Sequence, residues 1–166
     1  MNVLVRDARP ADLPAIVAIY NSIIPGRRVT ADLEPVTVEQ RTPWLQAHDP
    51  AHRPVWVAEE NTQVIAWLSF DTFYARTAYD GTAMIAIYVE ETRSGAGLGR
   101  MLLTRAIAHA PSLGIRTLLG YIFAHNEPSL RLFASFGFER WAQLPRIAKL
   151  DADERDLVIL GKRVGP

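Results

Sequence analysis

The sequence predicts a mixed α/β fold, with a mostly antiparallel sheet flanked by helices, and three observations support this class. β-rich runs and helical spacings alternate in the order β-α-α-β-β-β-α-β-α-β-β. The runs at residues 55–60 and 63–70 are joined across Asn61 and Thr62, which is typical of an antiparallel hairpin. The runs at residues 84–89 and 117–123 flank a single helical pattern, so a right-handed crossover makes them parallel neighbours.

A short strand and two helices are predicted for the first third of the chain. Residues 3–6 form the strand, and a helical stripe follows Asp12 and ends near Asn21. The apolar residues of this stripe are Leu13, Ile16, Val17, Ile19 and Tyr20. Thr37 is predicted to cap the second helix, which His48-Asp49-Pro50 closes. Because Pro50 lies between His48 and His52, we expect no helical metal site there.

The segment at residues 73–81 is long for a connection between strands and combines aromatic side chains with one arginine. Long loops of this kind often carry binding groups. A plain surface loop explains the segment equally well.

The second half of the chain is predicted to contain two helices and three strands. A stripe of apolar residues defines the first helix: Leu98, Met101, Leu102, Ala106 and Ile107. The strand at residues 117–123 is apolar throughout, as expected of a strand covered on both faces. Asn126 is predicted to cap the last helix, which Gly137 ends, and residues 138–141 and 156–160 supply two closing strands.

Composition limits the classes of function. At 166 residues we expect one domain, residues 1–166. The net charge is zero, with eighteen residues of each sign, so neither nucleic acid nor an anionic membrane is an expected partner. There is no cysteine, which removes disulfides, thiolate nucleophiles and cysteine-ligated zinc. No signal peptide or apolar spanning run is recognisable, so we expect a soluble protein compatible with the cytoplasm.

A glycine-rich turn lies between a predicted strand and a predicted helix, at Thr92-Arg93-Ser94-Gly95-Ala96-Gly97-Leu98-Gly99-Arg100. Its three glycines leave successive amides uncovered by side chains, so the N–H groups can converge on an anion at the helix N-terminus. The sequence therefore predicts a ligand that carries phosphate. A glycine turn without a ligand is the alternative.

Three phosphate-binding loops compete for this turn. A Walker loop needs Lys-Ser/Thr where Arg100-Met101 stands. A dinucleotide fingerprint needs a glycine at position 100 and an acidic residue about twenty residues further on, and both are missing. The third is the pyrophosphate loop of the GNAT N-acetyltransferases, Gln/Arg-x-x-Gly-x-Gly/Ala. Gly97 and Gly99 fit it, Ser94 replaces the Gln/Arg, and Arg93 stands one place earlier.

The chain resembles the GNAT superfamily over nearly its whole length. The resemblance rests on the order of elements, the glycine turn, and Asn126-Glu127-Pro128-Ser129-Leu130-Arg131-Leu132-Phe133 followed by Gly137-Phe138. More narrowly, the chain resembles the phosphinothricin acetyltransferase group. The motifs that carry this match are Ala11-Asp12-Leu13, Ile19-Tyr20-Asn21, Ala75-Arg76-Thr77-Ala78-Tyr79-Asp80, Ile87-Tyr88-Val89 and Asp156-Leu157-Val158.

The resemblance implies a GNAT fold in which the two parallel strands splay apart and acetyl-CoA lies between them. Its pantetheine arm would pair with backbone groups of Ile87, Tyr88 and Val89. Its pyrophosphate would bind at Ser94, Gly95, Ala96, Gly97, Leu98, Gly99 and Arg100. Asn126 would bond the pantetheine arm, besides a plain role as helix cap, and Ser129 is a further candidate.

The implied reaction is direct attack of a neutral amine on the thioester, with the Val89 amide stabilising the oxyanion. Here the sequence departs from the group. Met84 stands where a glutamate is the proposed base, and Phe133 stands where related proteins have His or Tyr. Possible substitutes are Tyr88, Tyr121, His125 and Glu90, each of which also has an ordinary structural explanation. Bulk water could equally deprotonate the amine.

The implied acceptor is a small amine, such as an amino acid, phosphinothricin or methionine sulfoximine. Arg76 and Tyr79 are candidates for holding its carboxylate, since a guanidinium can form two parallel bonds to it. A surface arginine and a packing tyrosine are the alternative. The resemblance also implies a homodimer. A CoA-binding module without efficient catalysis is the second hypothesis for the chain, and a nucleotide-binding protein, based on the glycine turn alone, is the third.

Overall fold

The computed structural model describes residues 2–166 and contains a seven-stranded mixed sheet with helices on both faces. The strands are β1 (Leu4–Asp7), β2 (Val55–Glu60), β3 (Gln63–Thr72), β4 (Thr82–Val89), β5 (Thr117–Phe123), β6 (Glu139–Leu150) and β7 (Asp153–Arg163). The helices are α1 (Leu13–Ile23), α2 (Val38–Gln46), α3 (Leu98–His109) and α4 (Glu127–Ala134). The predicted order of elements is confirmed.

The sheet has the strand order β1-β2-β3-β4-β5-β7-β6, and β4 and β5 are its parallel pair. The other neighbours are antiparallel. The predicted β2–β3 hairpin turns at Asn61 and Thr62, whose φ angles of 49° and 67° suit the right-handed twist of the two strands. The mixed, mostly antiparallel fold class is therefore confirmed.

Two apolar clusters hold the helices against the sheet. On one face, α1 packs Leu13, Ile16 and Tyr20 against Val57 of β2 and Trp67 of β3. On the other face, α3 and α4 pack against the central strands through a larger cluster that includes Leu98, Leu102, Leu103, Phe133, Leu68, Phe70 and Leu118. Both faces of the central strands are covered, so the open ends of β4 and β5 are where a ligand can enter.

Two helix caps follow the sequence. Thr37 and Gln40 form a reciprocal capping box at the start of α2, in which the Gln40 N–H donates to Thr37 Oγ1 at 3.2 Å. Asn126 precedes α4 and accepts a hydrogen bond from the Ser129 N–H. Both predicted caps are confirmed.

The closing strands are longer than the sequence indicated. The predicted strands at residues 138–141 and 156–160 are parts of β6 and β7, which form one long hairpin. The pairing is irregular between Leu144 and Ala148, where Pro145 and Arg146 interrupt the ladder. A proline and a residue at φ 50° obscure the period of two, which explains why the strands were predicted too short. Helix α1 likewise ends at Ile23, two residues beyond the predicted Asn21.

Among the helices within residues 2–166, none combines the length and apolarity that crossing a membrane requires.

Candidate active site

The parallel strands β4 and β5 separate after three paired positions, and a cleft begins there. Their register runs Thr82 with Thr117, Ala83 with Leu118 and Met84 with Leu119, and goes no further. A cleft of about 550 Å³ continues between the separated ends. Strand β4 contributes residues 84–89 to its lining, and β5 contributes Tyr121 and Ile122.

The register of β3 against β4 shows which peptide groups face this cleft. The Glu90 N–H donates to the Ile65 carbonyl at 2.9 Å, and Val89 lies opposite Ala66. Hydrogen-bonded and non-hydrogen-bonded pairs alternate along an antiparallel ladder. The peptide groups of Ile87 and Val89 therefore point away from β3, towards β5, whereas those of Tyr88 point towards β3.

The glycine turn closes one end of the cleft at the start of α3. Gly95 and Gly97 have φ angles of 80° and 84°, which favour glycine. The Met101 N–H bonds the Gly97 carbonyl at 3.0 Å. The preceding N–H groups of α3, those of Leu98, Gly99 and Arg100, have no partner within the helix, because they belong to its first turn. They form an anion-binding end with a favourable helix dipole.

Of the predicted residues in this turn, all but Ala96 line the cleft. Ser94 lines it, as do Gly95, Gly97, Leu98, Gly99 and Arg100. Ala96 is not among the lining residues, and its N–H donates to the Arg93 carbonyl at 3.2 Å. Ala96 therefore shapes the turn and does not face the cleft in this structure.

Arg93 also lines the cleft, although it was not among the predicted site residues. Its guanidinium pairs with Glu60 at 2.7 Å. Arg100 lies with its guanidinium carbon 5.2 Å from the centre of the Phe136 ring, and its Nη2 donates to Ser135 Oγ at 3.3 Å. Glu60 balances the charge of Arg93, so the positive charge at the glycine-turn end of the cleft comes from Arg100.

Asn126 lies between β5 and α4 and is 5 % exposed. Its Oδ1 accepts the Ser129 N–H at 3.4 Å, so the cap uses the acceptor side of the amide. In the described part of the chain, Nδ2 of Asn126 donates to no protein acceptor, and the residue lines the cleft together with Ser129. The amide is thus a free donor on a residue that lines the cleft, which suits a carbonyl of a pantetheine arm.

The candidate proton-transfer residues divide into two groups. Tyr88 and Tyr121 line the cleft, whereas His125 and Glu90 do not. Met84 and Phe133, which are not candidates, also line it. The Tyr88 ring packs 4.4 Å from Trp67 and 5.2 Å from Tyr20, centre to centre. Burial raises the pKa of Tyr88 well above its usual range, so its hydroxyl stays protonated and can donate but not act as a base. Met84 and Phe133 exchange no proton.

Asp71 is a lining residue that the sequence did not reveal. Ser69 Oγ donates to one of its oxygens at 2.6 Å, and His48 Nε2 lies 3.1 Å from the other. Burial favours the neutral acid, but the hydrogen bonds from His48 and Ser69 outweigh it and hold the pKa of Asp71 below its usual value. Asp71 is therefore a carboxylate at neutral pH.

Arg76 and Tyr79, the predicted ligands of a substrate carboxylate, are both exposed and are not among the residues that line the cleft. The Tyr79 ring packs edge-to-face on Phe73, with ring centres 5.5 Å apart, in an aromatic group that also includes Tyr74. The structure does not bring Arg76 and Tyr79 to the cleft, and their assignment stays a prediction. His48 and His52 are each engaged with an aspartate, Asp71 and Asp49 respectively.

A cleft between splayed parallel strands, ending at a glycine-capped helix, suits a ligand with amides in its arm and phosphates at its end. The fold and the cleft together define a class of proteins that bind coenzyme A thioesters. The chain belongs to the acetyltransferase (GNAT) family, which it matches over residues 16–138. The predictions of a GNAT fold, an N-acetyltransferase and acetyl-CoA as co-substrate are confirmed.

Curated relatives point to the same family. The chain is 51 % identical to YwnH of Bacillus subtilis (strain 168), provisionally named a phosphinothricin acetyltransferase, over 96 % of this chain and 98 % of that one. It is 34 % identical to the L-amino acid N-acyltransferase MnaT of Escherichia coli (strain K12), over 86 % and 83 %. It is 33 % identical to the L-methionine sulfoximine/L-methionine sulfone acetyltransferase of Salmonella typhimurium (strain LT2), over 86 % and 84 %.

Solved structures agree with these relatives. One crystal structure, provisionally named a phosphinothricin N-acetyltransferase, is 49 % identical and superposes with a TM-score of 0.96, over 99 % of this chain and all of that one. The acetyltransferase yncA from Salmonella typhimurium, provisionally so named and solved with its cofactor acetyl-CoA, is 30 % identical with a TM-score of 0.91. That match covers 98 % of this chain and 94 % of the other.

Proposed function

We propose that this chain transfers the acetyl group of acetyl-CoA directly to the primary amine of a small molecule, an amino acid or an analogue such as phosphinothricin or methionine sulfoximine. The observation that carries the proposal is the cleft itself, which combines the free peptide groups of Ile87 and Val89 with the anion-binding start of α3. Relatives named for phosphinothricin and for methionine sulfoximine support the class of acceptor.

Each group in the cleft has a distinct role in this proposal. The thioester supplies an activated acetyl group. The peptide groups of Ile87 and Val89 hold the pantetheine arm, with Asn126 Nδ2 as a further donor. The amides of Gly95 and of residues 97–100 hold the pyrophosphate, with Ser94, Arg100 and Ser129 beside them. The Val89 N–H stabilises the charge that develops on the acetyl oxygen, a contribution on the order of 3 kcal/mol.

Proton transfer in this proposal depends on few residues. Tyr88 keeps its proton, because burial raises its pKa, and can donate a hydrogen bond to the departing sulfur. The proton that the sulfur takes up is the one that the attacking nitrogen releases. The amine loses its proton to solvent water, since Met84 offers no base. Absence of cysteine agrees with direct transfer, because no thiol can carry the acetyl group.

A second candidate is a module that binds acetyl-CoA or CoA without efficient catalysis. It is favoured by one observation, the side chains of Met84 and Phe133, which stand in the cleft and cannot exchange protons. This candidate predicts saturable binding of acetyl-CoA with no release of CoA thiol when an amine is added.

The test is thiol release with acetyl-CoA and a panel of amines, following calorimetric titration with acetyl-CoA and, for comparison, NAD. We expect saturable acetyl-CoA binding, no NAD binding, and thiol release that depends on L-methionine sulfoximine or phosphinothricin. Binding without thiol release for any amine would leave the second candidate. We further propose that residues 1–166 form one GNAT domain and that the protein is cytoplasmic. We also propose that it is a homodimer, and light scattering of the purified protein tests this oligomeric state.

A further inference from the structure

Asp71 occupies the position on β3 directly opposite Met84 on β4. The pair follows Trp67 with Tyr88 and Ser69 with Ala86 along the same ladder. Side chains of directly paired residues lie on one face of a sheet, and their Cα atoms are about 5.5 Å apart when the pair is hydrogen-bonded. Asp71 therefore shares the face of Met84 and Tyr88, one strand away from the strand that borders the cleft.

This carboxylate is held in place from two sides. His48 Nδ1 lies 2.7 Å from the Trp44 carbonyl, which can only accept, so Nδ1 donates. Nε2 then donates to Asp71 only if the imidazole carries both protons. Burial opposes that charge, but the hydrogen bonds to Asp71 and Trp44 outweigh it and raise the pKa of His48. Ser69 adds its hydroxyl donor, so His48 and Ser69 fix the orientation of Asp71.

The charges of the cleft are distributed unequally. Its lining contains two arginines, Arg93 and Arg100, and both lie at the glycine-turn end. Of the described residues that line the cleft, Asp71 is the sole carboxylate. Phosphate is therefore favoured at the glycine-turn end. Beside Asp71, the carboxylate oxygens are held by His48 and Ser69 and can accept further charge-assisted hydrogen bonds from an amino group.

We propose that Asp71 binds the acceptor before the reaction, receiving its amino group as an ammonium through a charge-assisted hydrogen bond, and that His48 and Ser69 are positioning residues for it. Met84, opposite Asp71, lies five residues along β4 from Val89, about 16 Å, so the amine leaves Asp71 and loses its proton before it attacks the thioester. The inference rests on the proposed function and adds a substrate property to it. Acceptors are cationic amines, and an uncharged compound of the same shape binds weakly. Tyr88, on the same face, contributes a second polar group to this half of the cleft.

The test compares the wild type with Asp71→Asn, which keeps the shape of the side chain and removes its charge. The probe is L-methionine sulfoximine with acetyl-CoA, followed by thiol release. We expect the KM for the amine to rise about tenfold or more in Asp71→Asn, while the affinity for acetyl-CoA is unchanged. Asp71→Glu, which keeps the negative charge, is expected to raise the amine KM less than Asp71→Asn does. The matched control is Asp153→Asn on the exposed β6–β7 hairpin, which makes the same change of charge away from the cleft.

His48→Gln provides an independent measurement, because it leaves the Asp71 carboxylate present but less well oriented. We expect a smaller rise in the amine KM with an unchanged acetyl-CoA affinity. An amine KM that is unchanged in Asp71→Asn, or raised equally in Asp153→Asn, overturns the inference while the proposed function stands. If Asp71→Asn fails to fold, an unchanged amine KM in both His48→Gln and Ser69→Ala overturns the inference. A wild type that binds acetyl-CoA but neither binds nor acetylates cationic amines contradicts the inference and the proposed acceptor together.

Discussion

Gly120 on β5 lies so close to Phe133 on α4 that a Cβ at this position would be 2.7 Å from Cε1 of the ring. Phe133 is 5 % exposed and packs on Phe138 with ring centres 4.9 Å apart, so it has little room to move. This contact sets the distance between β5 and α4. Since Asn126 connects the two elements, the contact also places its amide in the cleft.

We therefore expect Gly120→Ala to displace Phe133 and to lower the free energy of unfolding by about 1–3 kcal/mol, as overpacked cores do. The acetyl-CoA affinity is expected to fall as well, because Phe133 and Asn126 both line the cleft. Urea unfolding and calorimetric titration measure the two effects. Gly26→Ala is the control, since nothing lies within 4 Å of its added Cβ. Wild-type stability in Gly120→Ala would contradict the proposed rigidity of this contact.

The glycine turn can be tested at Gly97. Its φ of 84° makes alanine strained there by about 1 kcal/mol, although nothing lies within 4 Å of the added Cβ. We expect Gly97→Ala to stay folded and to bind acetyl-CoA at least tenfold more weakly, since the amides of the turn shift. Gly114→Ala has the matching strain, with φ 76° and free space, but lies outside the cleft lining. Equal affinity in the two variants would remove the turn from the binding site.

Asn126→Asp separates the two roles of Asn126. A carboxylate still caps α4 by accepting the Ser129 N–H, but it lacks the Nδ2 donor. We expect an unchanged or slightly higher melting temperature and a roughly tenfold loss of acetyl-CoA affinity, which is typical of a buried donor replaced by an acceptor. Asn61→Asp, in the β2–β3 turn, makes the same change of charge far from the cleft. If both variants bind acetyl-CoA like the wild type, Asn126 is a cap alone.

The pH dependence of stability can be tested at Asp12. Arg6 donates to both of its oxygens, at 2.7 Å and 2.9 Å, and the Arg9 N–H adds a third bond at 2.7 Å. The hydrogen bonds of Arg6 outweigh burial and hold the pKa of Asp12 below its ordinary value of 3.8. The folded state therefore binds this proton less readily than the unfolded state, so the stabilisation is present above about pH 4 and is lost as the pH falls further.

We accordingly expect the free energy of unfolding of Asp12→Asn to be about 2 kcal/mol lower than that of the wild type at pH 7. This difference should shrink as the pH falls below 4. Urea unfolding across this range measures the difference. A constant difference between the two proteins from pH 7 down to pH 3 would show that the charge of Asp12 is not the cause. Asp153→Asn, whose aspartate is mostly exposed, provides the reference for a surface carboxylate.

Local signals explain what the sequence predicted well. The strand at residues 117–123, the caps at Thr37 and Asn126, and the glycine turn depend on short stretches of chain, and the structure confirms each of them. Eleven consecutive elements in the right order then defined the fold class.

Asp71 was not predicted, because its importance depends on the register between β3 and β4. That register is set by how the loop at residues 73–81 closes, and the length of the loop does not determine it. The lone acidic residue at the end of an apolar strand was the available signal. His48, 23 positions away in sequence, becomes relevant only once α2 packs against the sheet.

The separation of β4 from β5 after Met84 has a consequence for the energetics of turnover. From Ile85 onwards, β4 has a strand partner on one side only, and a bound pantetheine arm would complete the hydrogen-bond ladder on the other. The co-substrate would then contribute to the secondary structure of the enzyme as well as to its chemistry, and would raise its stability in proportion to the logarithm of its concentration. Each release of CoA would break that part of the sheet, and each new acetyl-CoA molecule would form it again.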